Sequence, residues 1–221
     1  MQKKMRFFLC KVIAVTVLAV PQAVWGQAAP TTAEGFFNRA CDYFDQGDYD
    51  RAIADFTQAI NLSPNFHQGL AYENRGLAYL QKKDYDRSIA DSTKAMELNP
   101  NSIYAYNIRG DAYAMKDDLD RAIADYTQVI WLDSNNADTY YDRGKAYSSK
   151  NDYDRAIADF TQLIRIDPNR VGAYVNRGGA YANKGAFDLA IADFEVALRI
   201  NPNDARIKQM LEWARCRNLR E

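Results

Sequence analysis

One twelve-residue phrase recurs five times along the chain at an almost fixed period. Its copies read YDRAIADFTQAI, YDRSIADSTKAM, LDRAIADYTQVI, YDRAIADFTQLI and FDLAIADFEVAL, and they begin at Tyr49, Tyr85, Leu119, Tyr153 and Phe187. Successive copies start 36, 34, 34 and 34 residues apart. A fixed period of this length indicates one supersecondary unit stacked on copies of itself. We therefore expect a solenoid, which offers an extended surface for function instead of one deep catalytic cleft.

Each period contains two segments with helical patterning. In the recurring phrase, Ile53, Phe56 and Ile60 fall on one helical face. The segment before it carries an aromatic residue, a small residue and a Tyr at helical spacing. An Asp stands directly before four of the phrases, where it suits an N-cap: Asp48, Asp84, Asp118 and Asp152. The pattern predicts a pair of helices in each period.

The unit resembles the tetratricopeptide repeat, a helix–turn–helix of 34 residues. The five copies align when their first positions are Ala33, Gly69, Ile103, Ala137 and Val171. The resemblance implies an all-α, right-handed superhelical solenoid of five repeats over 33–68, 69–102, 103–136, 137–170 and 171–204. A C-terminal capping helix and tail over 205–221 follow the repeats, and a short linker over 27–32 precedes them.

An Arg and an Asp recur at positions 7 and 23 of every repeat. The arginines are Arg39, Arg75, Arg109, Arg143 and Arg177, and the aspartates are Asp55, Asp91, Asp125, Asp159 and Asp193. In an antiparallel helix pair that turns near position 15, these two positions lie at the same height. We predict a ladder of Arg–Asp ion pairs. The alternative is that the arginines bind an anionic ligand.

Residues 1–26 have the three-part pattern of a secretory signal peptide. A positively charged start is followed by an apolar run over 12–20, and small residues follow Pro21. Cleavage would leave 24 Lys and Arg against 29 Asp and Glu, a net charge of −5. We expect an exported chain, periplasmic or secreted, with no stable membrane insertion after cleavage and no affinity for nucleic acid. Tethering to the membrane by an uncleaved signal remains the alternative.

Residue types that support catalysis or metal binding are sparse in this chain. There is one histidine, His67, and the sequence contains no Gly-rich phosphate loop. The Asp-rich turns lack the Gly and the terminal Glu of a calcium loop. We expect a protein that is not an enzyme, with no catalytic residues, no metal and no cofactor.

In the family that the chain resembles, the first helices of successive repeats line a concave groove that holds a polypeptide. The residues mapped to this groove are Phe37, Asn38, Glu73, Asn74, Tyr104, Asn107, Asp111, Tyr141, Asp142 and Asn176. Most charges mapped to the groove are negative, which predicts a preference for neutral or basic segments. We expect a protein–protein interaction scaffold in cell-envelope assembly in a bacterium. A self-associating structural repeat protein and an accessory subunit of an enzyme complex remain alternatives.

Overall fold

The computed structural model describes residues 30–219. The predicted signal peptide over 1–26 and residues 27–29 of the predicted linker lie outside the described residues. Within residues 30–219 the regular structure is helical throughout, with no strand. The all-α prediction is confirmed. The chain forms two compact units, one ending at Ala112 and the other beginning at Tyr113.

Each of the five repeats contains a first and a second helix. The first helices are α1 (Ala33–Asp45), α3 (Leu70–Gln81), α5 (Ile103–Met115), α7 (Ala137–Ser149) and α9 (Val171–Asn183). The second helices are α2 (Tyr49–Leu62), α4 (Tyr85–Leu98), α6 (Leu119–Leu132), α8 (Tyr153–Ile166) and α10 (Phe187–Ile200). A further helix, α11 (Ala205–Asn218), follows them, as the predicted capping helix requires.

Aspartate side chains begin the second helices in four repeats, as the sequence predicts. Asp48 accepts a hydrogen bond from the backbone N–H of Arg51 at 3.1 Å, and Asp84, Asp118 and Asp152 do the same in their repeats. Arg51 also lies over the ring of Tyr43 at 4.5 Å. The cap supplies a partner for a backbone donor that has none inside the helix.

The predicted Arg–Asp ladder forms within repeats. Arg143 donates from Nε and Nη2 to the two carboxylate oxygens of Asp159, at 2.9 and 2.7 Å. The equivalent pairs are Arg39–Asp55, Arg75–Asp91 and Arg177–Asp193. The carboxylates are buried, with Asp159 only 4% exposed. A buried carboxylate needs a charged partner. This assigns a structural role to these arginines, as the sequence favours.

The same arginines also join each repeat to the one before it. Arg143 donates from its remaining nitrogen to the hydroxyl of Thr127 at 3.0 Å, across the α6–α7 contact. Arg75–Thr57, Arg109–Thr93 and Arg177–Thr161 repeat this bond at 2.9–3.1 Å. One planar guanidinium thus holds together the two helices of its own repeat and also binds the second helix of the preceding repeat. Replacing Arg by Lys would lose this fork geometry.

Two extra residues between the first and second repeats form a left-handed turn. His67 and Gln68 have φ values of 41° and 55°, and Gly69 has φ 96°. A Cβ on Gly69 would lie 3.1 Å from the Cα of Ala95, so the close approach of α4 also requires glycine here. The turn places Phe66 against the core of the first repeat, where it is 9% exposed.

The last described helix, α11, packs on α10 in the way that the first helix of a repeat packs on the repeat before it. Counted from Ala205, Ala214 stands at position 10, where Ala146 and Ala180 stand in α7 and α9. Ala214 is fully buried, and Ile207 and Leu211 are nearly so. Helix α11 therefore covers the end of α10 with the same apolar contact that joins successive repeats.

Candidate functional site

The first helices of the second unit present partly exposed polar side chains beside one another. Asn176 of α9 donates from its side-chain nitrogen to the hydroxyl of Tyr141 of α7 at 3.3 Å. The same nitrogen donates to the carbonyl of Gly172 at 2.7 Å. Both donors of the amide are then used, and its carbonyl oxygen remains an acceptor. The Tyr141 hydroxyl keeps its own proton to donate.

Tyr141 is held in place by its ring. The ring meets Phe160 edge-on, with centroids 6.2 Å apart. The cationic groups of Lys145 and Arg170 lie 5.5 and 5.8 Å from its centroid. Gly172 makes room for the ring, because a Cβ there would come within 3.3 Å of Tyr141. The hydroxyl is therefore presented from a fixed position.

Carboxylates on this face of the second unit have cationic partners. Asp138 accepts from Arg170 at 2.5 Å, and Asp142 lies 4.0 Å from the ammonium of Lys145. These pairs cancel the negative charge that the sequence mapped here. The surface of α7 and α9 is thus close to neutral, whereas the sequence predicts an acidic groove.

A pocket of about 340 Å³ continues this face between α9 and α11. Ala182 and Phe194 form its inner part, and Met210, Trp213 and Arg206 of α11 form its outer wall. Gly179 opens it, because a Cβ there would meet no atom within 4 Å. The pocket is mainly apolar and lies near the small end of the usual range for ligand sites, ~300–1,000 Å³.

Three residues predicted to contact a ligand in the first unit are buried instead. Phe37 is 4% exposed and packs against Phe56 and Phe66, with ring centroids 5.5 and 5.0 Å away. Asn74 is 2% exposed and donates to the carbonyl of Leu70 at 2.9 Å. Phe37 is therefore a core residue, and the amide of Asn74 serves its own helix.

Glu73 is the third predicted ligand contact that is buried in the structure. It is 5% exposed and accepts a hydrogen bond from the hydroxyl of Ser102, which also caps α5 by accepting from the N–H of Ala105. Burial raises the pKa of Glu73, and the bond from Ser102 opposes this only in part. The carboxyl joins the second repeat to the start of the third and is not exposed to a ligand.

The other predicted residues of the first unit retain access to solvent. Asn38 is exposed, Tyr104 is 45% exposed, and Asn107 and Asp111 are half-buried. Between α3 and α5, however, Leu77 and Ile108 belong to a buried apolar cluster. The structure brings Tyr141 and Asn176 into direct contact, and the pairing of Asp142 places it beside them.

The pocket residues of α11 escaped sequence reasoning, although a signal for them exists. Arg206, Gln209, Met210 and Trp213 stand at positions 2, 5, 6 and 9 counted from Ala205. Each of the ten groove residues predicted in the five repeats stands at one of the same four positions, counted from the first residue of its repeat. Reading α11 as a sixth first helix, instead of as a cap alone, would have found them.

Residues 30–219 place no group of three or more His, Cys, Asp or Glu side chains where a metal ion could be held. The helices of this part of the chain include none with the length and apolarity that crossing a membrane requires.

Comparison with known families decides the assignment. Profiles described as tetratricopeptide repeat match residues 33–66, 70–102, 93–124 and 141–205, and one described as TPR repeat matches 110–150. The chain belongs to the tetratricopeptide repeat family. A search of curated protein sequences gave no match.

Solved structures of tetratricopeptide repeat proteins resemble the chain. MamA is 30% identical, with a TM-score of 0.70 over 76% of this chain and 96% of its own. YrrB, described as a TPR protein with an unusual peptide-binding site, is 20% identical, with a TM-score of 0.70 over 80% and 90%. A tetratricopeptide repeat protein from Parabacteroides merdae is 19% identical, with a TM-score of 0.75 over 85% and 75%. The last two likenesses concern the fold alone.

Proposed function

We propose that this protein is an interaction scaffold that binds a polypeptide segment of another protein along the first-helix face of its second unit. The observation that carries the proposal is the contact between Asn176 and Tyr141. The carbonyl oxygen of Asn176 can accept from a backbone N–H, and the hydroxyl of Tyr141 can donate to a backbone C=O. This pair matches the two groups that every peptide unit offers.

The chemistry of the surrounding face supports a polypeptide over a small ligand. Gly179 leaves backbone-level space on α9, and the charges of Asp138 and Asp142 are balanced by Arg170 and Lys145. An uncharged main chain can lie on such a surface without breaking the ion pairs of Asp138 and Asp142. The preferred segment is neutral where it crosses α7 and α9, and YrrB is a family precedent for a peptide ligand.

Affinity capture with matched variants tests the proposal. The full chain and a Tyr141→Ala/Asn176→Ala variant are used as bait in a cell extract, beside a Gln128→Ala/Ala158→Ser control. The control residues are exposed on the second helices α6 and α8. We expect at least one partner that the wild type and the control retain and the Tyr141/Asn176 variant loses. Equal retention by all three baits would refute binding on this face.

We further propose that the protein works outside the cytoplasm, in assembly of the cell envelope. The proposal rests on the signal-peptide pattern of residues 1–26. Fractionation of the producing bacterium, followed by N-terminal sequencing, is the test. A periplasmic chain that begins near Gln27 is expected, whereas an unprocessed chain in the cytoplasmic fraction would contradict it.

A further inference from the structure

The pocket between α9 and α11 lies beside the proposed polypeptide-binding face and has a chemistry of its own. Trp213 is 48% exposed, although its ring packs edge-on against Phe187 with centroids 5.8 Å apart. Its indole therefore has a fixed orientation and one uncovered face. Phe194, which is 1% exposed, lies at the base of the pocket. The aromatic walls and the absent side chain of Gly179 suit a bulky apolar group.

Two arginines lie at this pocket or next to its wall. Arg206 lines it, and the guanidinium of Arg217 lies 5.8 Å from the centroid of the Trp213 ring. Neither arginine forms an ion pair with a carboxylate among residues 30–219. The nearby carboxylate Glu212 pairs with Arg215 at 2.9 Å, and the same guanidinium also pairs with Glu195 at 2.9 Å. These three side chains carry one net negative charge against the two positive charges of Arg206 and Arg217. The uncompensated charge at the rim is thus cationic and complements an acidic ligand.

The register of α11 connects the pocket to the neighbouring face. Arg206, Met210 and Trp213 occupy on α11 the positions that Asp138, Asp142 and Lys145 occupy on α7. A chain that lies over Tyr141 and Asn176 therefore meets the pocket when it continues from α9 towards α11. All of these residues belong to the second unit.

We infer that this pocket binds a bulky apolar side chain of the bound polypeptide, and that an Asp or Glu next to that side chain contacts Arg206. The inference rests on the proposed function and specifies its ligand. The segment is neutral where it crosses α7 and α9, and its end at α11 carries one large apolar residue with an acidic neighbour. A pocket near the lower size limit of ~300 Å³ takes one side chain and not a larger ligand.

A displayed library of random 12-residue peptides, selected on the full chain, supplies the probe. We expect the selected peptides to share a Leu, Met, Phe or Trp within two residues of an Asp or Glu. Affinities are then compared on three variants. Gly179→Leu fills the pocket from a site with open space, Trp213→Ala removes its wall, and Trp131→Ala removes a tryptophan of α6 that is 76% exposed.

Gly179→Leu and Trp213→Ala should each weaken binding about tenfold or more, since each removes the contacts of one buried apolar side chain. Trp131→Ala should bind like the wild type, and Arg206→Gln should lose affinity only for peptides with the acidic residue. Thermal unfolding of each variant checks that the pocket variants are folded at the temperature of the binding assay. Gly179→Leu replaces a helical glycine, which favours the helix.

Two outcomes separate this inference from the proposed function. Peptides that need Tyr141 and Asn176 but bind Gly179→Leu and Trp213→Ala normally would overturn the pocket and leave the function intact. Selected peptides that carry Lys or Arg beside the apolar residue would overturn the acidic assignment. If no peptide binds in a way that depends on Tyr141 and Asn176, the proposed function fails, and the inference fails with it.

Discussion

Adjacent glycines in α9 give opposite predictions for the same substitution. A Cβ on Gly178 would lie 2.7 Å from Cε1 of Phe194 and 3.2 Å from the carbonyl oxygen of Ala190, whereas a Cβ on Gly179 would meet nothing within 4 Å. Ordinary carbon–carbon contacts are ~3.5–4.0 Å. Phe194 is 1% exposed, so its ring can move only by displacing the core. Gly178→Ala must therefore shift packed atoms, and Gly179→Ala need not.

The expected magnitudes follow from two competing terms. Overpacking a core costs ~1–3 kcal/mol, and replacing a helical Gly by Ala returns ~0.5–1 kcal/mol. Ala40, the equivalent residue of the first repeat, is fully buried beside Phe56, which shows that a relaxed arrangement exists. We therefore take the overpacking at ~1.5–2 kcal/mol, in the lower half of its range, which leaves a net loss of about 1 kcal/mol for Gly178→Ala after the helix gain. Gly179→Ala should gain ~0.5–1 kcal/mol.

Thermal unfolding followed by far-ultraviolet circular dichroism measures the difference. For a chain of 221 residues, 1 kcal/mol corresponds to about 2–4 °C in Tm. The two variants should thus move Tm in opposite directions and differ by roughly 3–8 °C. Both substitutions lie in one helix, so both report on the same part of the protein. If Gly178→Ala stabilises as much as Gly179→Ala, the packing argument at the helix pair is wrong.

Three further predictions concern buried polar groups. Arg143→Ala should lower the free energy of unfolding by ~3–5 kcal/mol, because Asp159 keeps a buried charge without its partner. Urea denaturation measures this loss. The control is Lys150→Ala, which removes an exposed pair with Asp120 and should cost under ~1 kcal/mol. Ser88→Ala should raise the free energy of unfolding by about 1 kcal/mol, because the hydroxyl of Ser88 is buried with no hydrogen-bond partner among the described residues. A lower value would mean that an ordered water satisfies the hydroxyl. Glu73→Gln should stabilise the protein at neutral pH, because burial raises the pKa of Glu73 in the folded state and penalises its charged form. The folded state binds the extra proton, so this group destabilises as pH rises from ~4.3 through the raised pKa. Unfolding measured between pH 4 and 7 should show a flatter profile for the variant, and an unchanged profile would contradict the assignment.

The elements that repeat are the ones the sequence could predict. Helix pairs, Asp caps and Arg–Asp pairs depend on residues that lie close together along the chain and recur at one spacing. Asp159 and Arg143 are 16 residues apart in their pair, as are the partners of the equivalent pairs. Five copies of such a pattern make each local interpretation consistent with the others.

The burial of Phe37 and Glu73 depends on features outside the period. Phe37 packs on Phe66, which is positioned by a turn with two additional residues and left-handed backbone geometry. Glu73 meets Ser102, 29 residues further along, at the start of another repeat. A prediction from the positions that all repeats share cannot reveal such contacts, because these contacts differ from one repeat to the next. The pocket was missed for another reason: α11 lacks the recurring phrase, although its residues keep the register of a first helix.

Site-specific photo-crosslinking in the producing cell tests the central claim most directly. A photoreactive amino acid at position 179 stands in open space on the first-helix face, and one at position 158 stands on the exposed surface of the second helix α8. We expect a crosslinked protein partner from position 179 and none from position 158. A partner that crosslinks from position 158 but not from 179 would contradict this expectation, because the polypeptide would then bind on the opposite face.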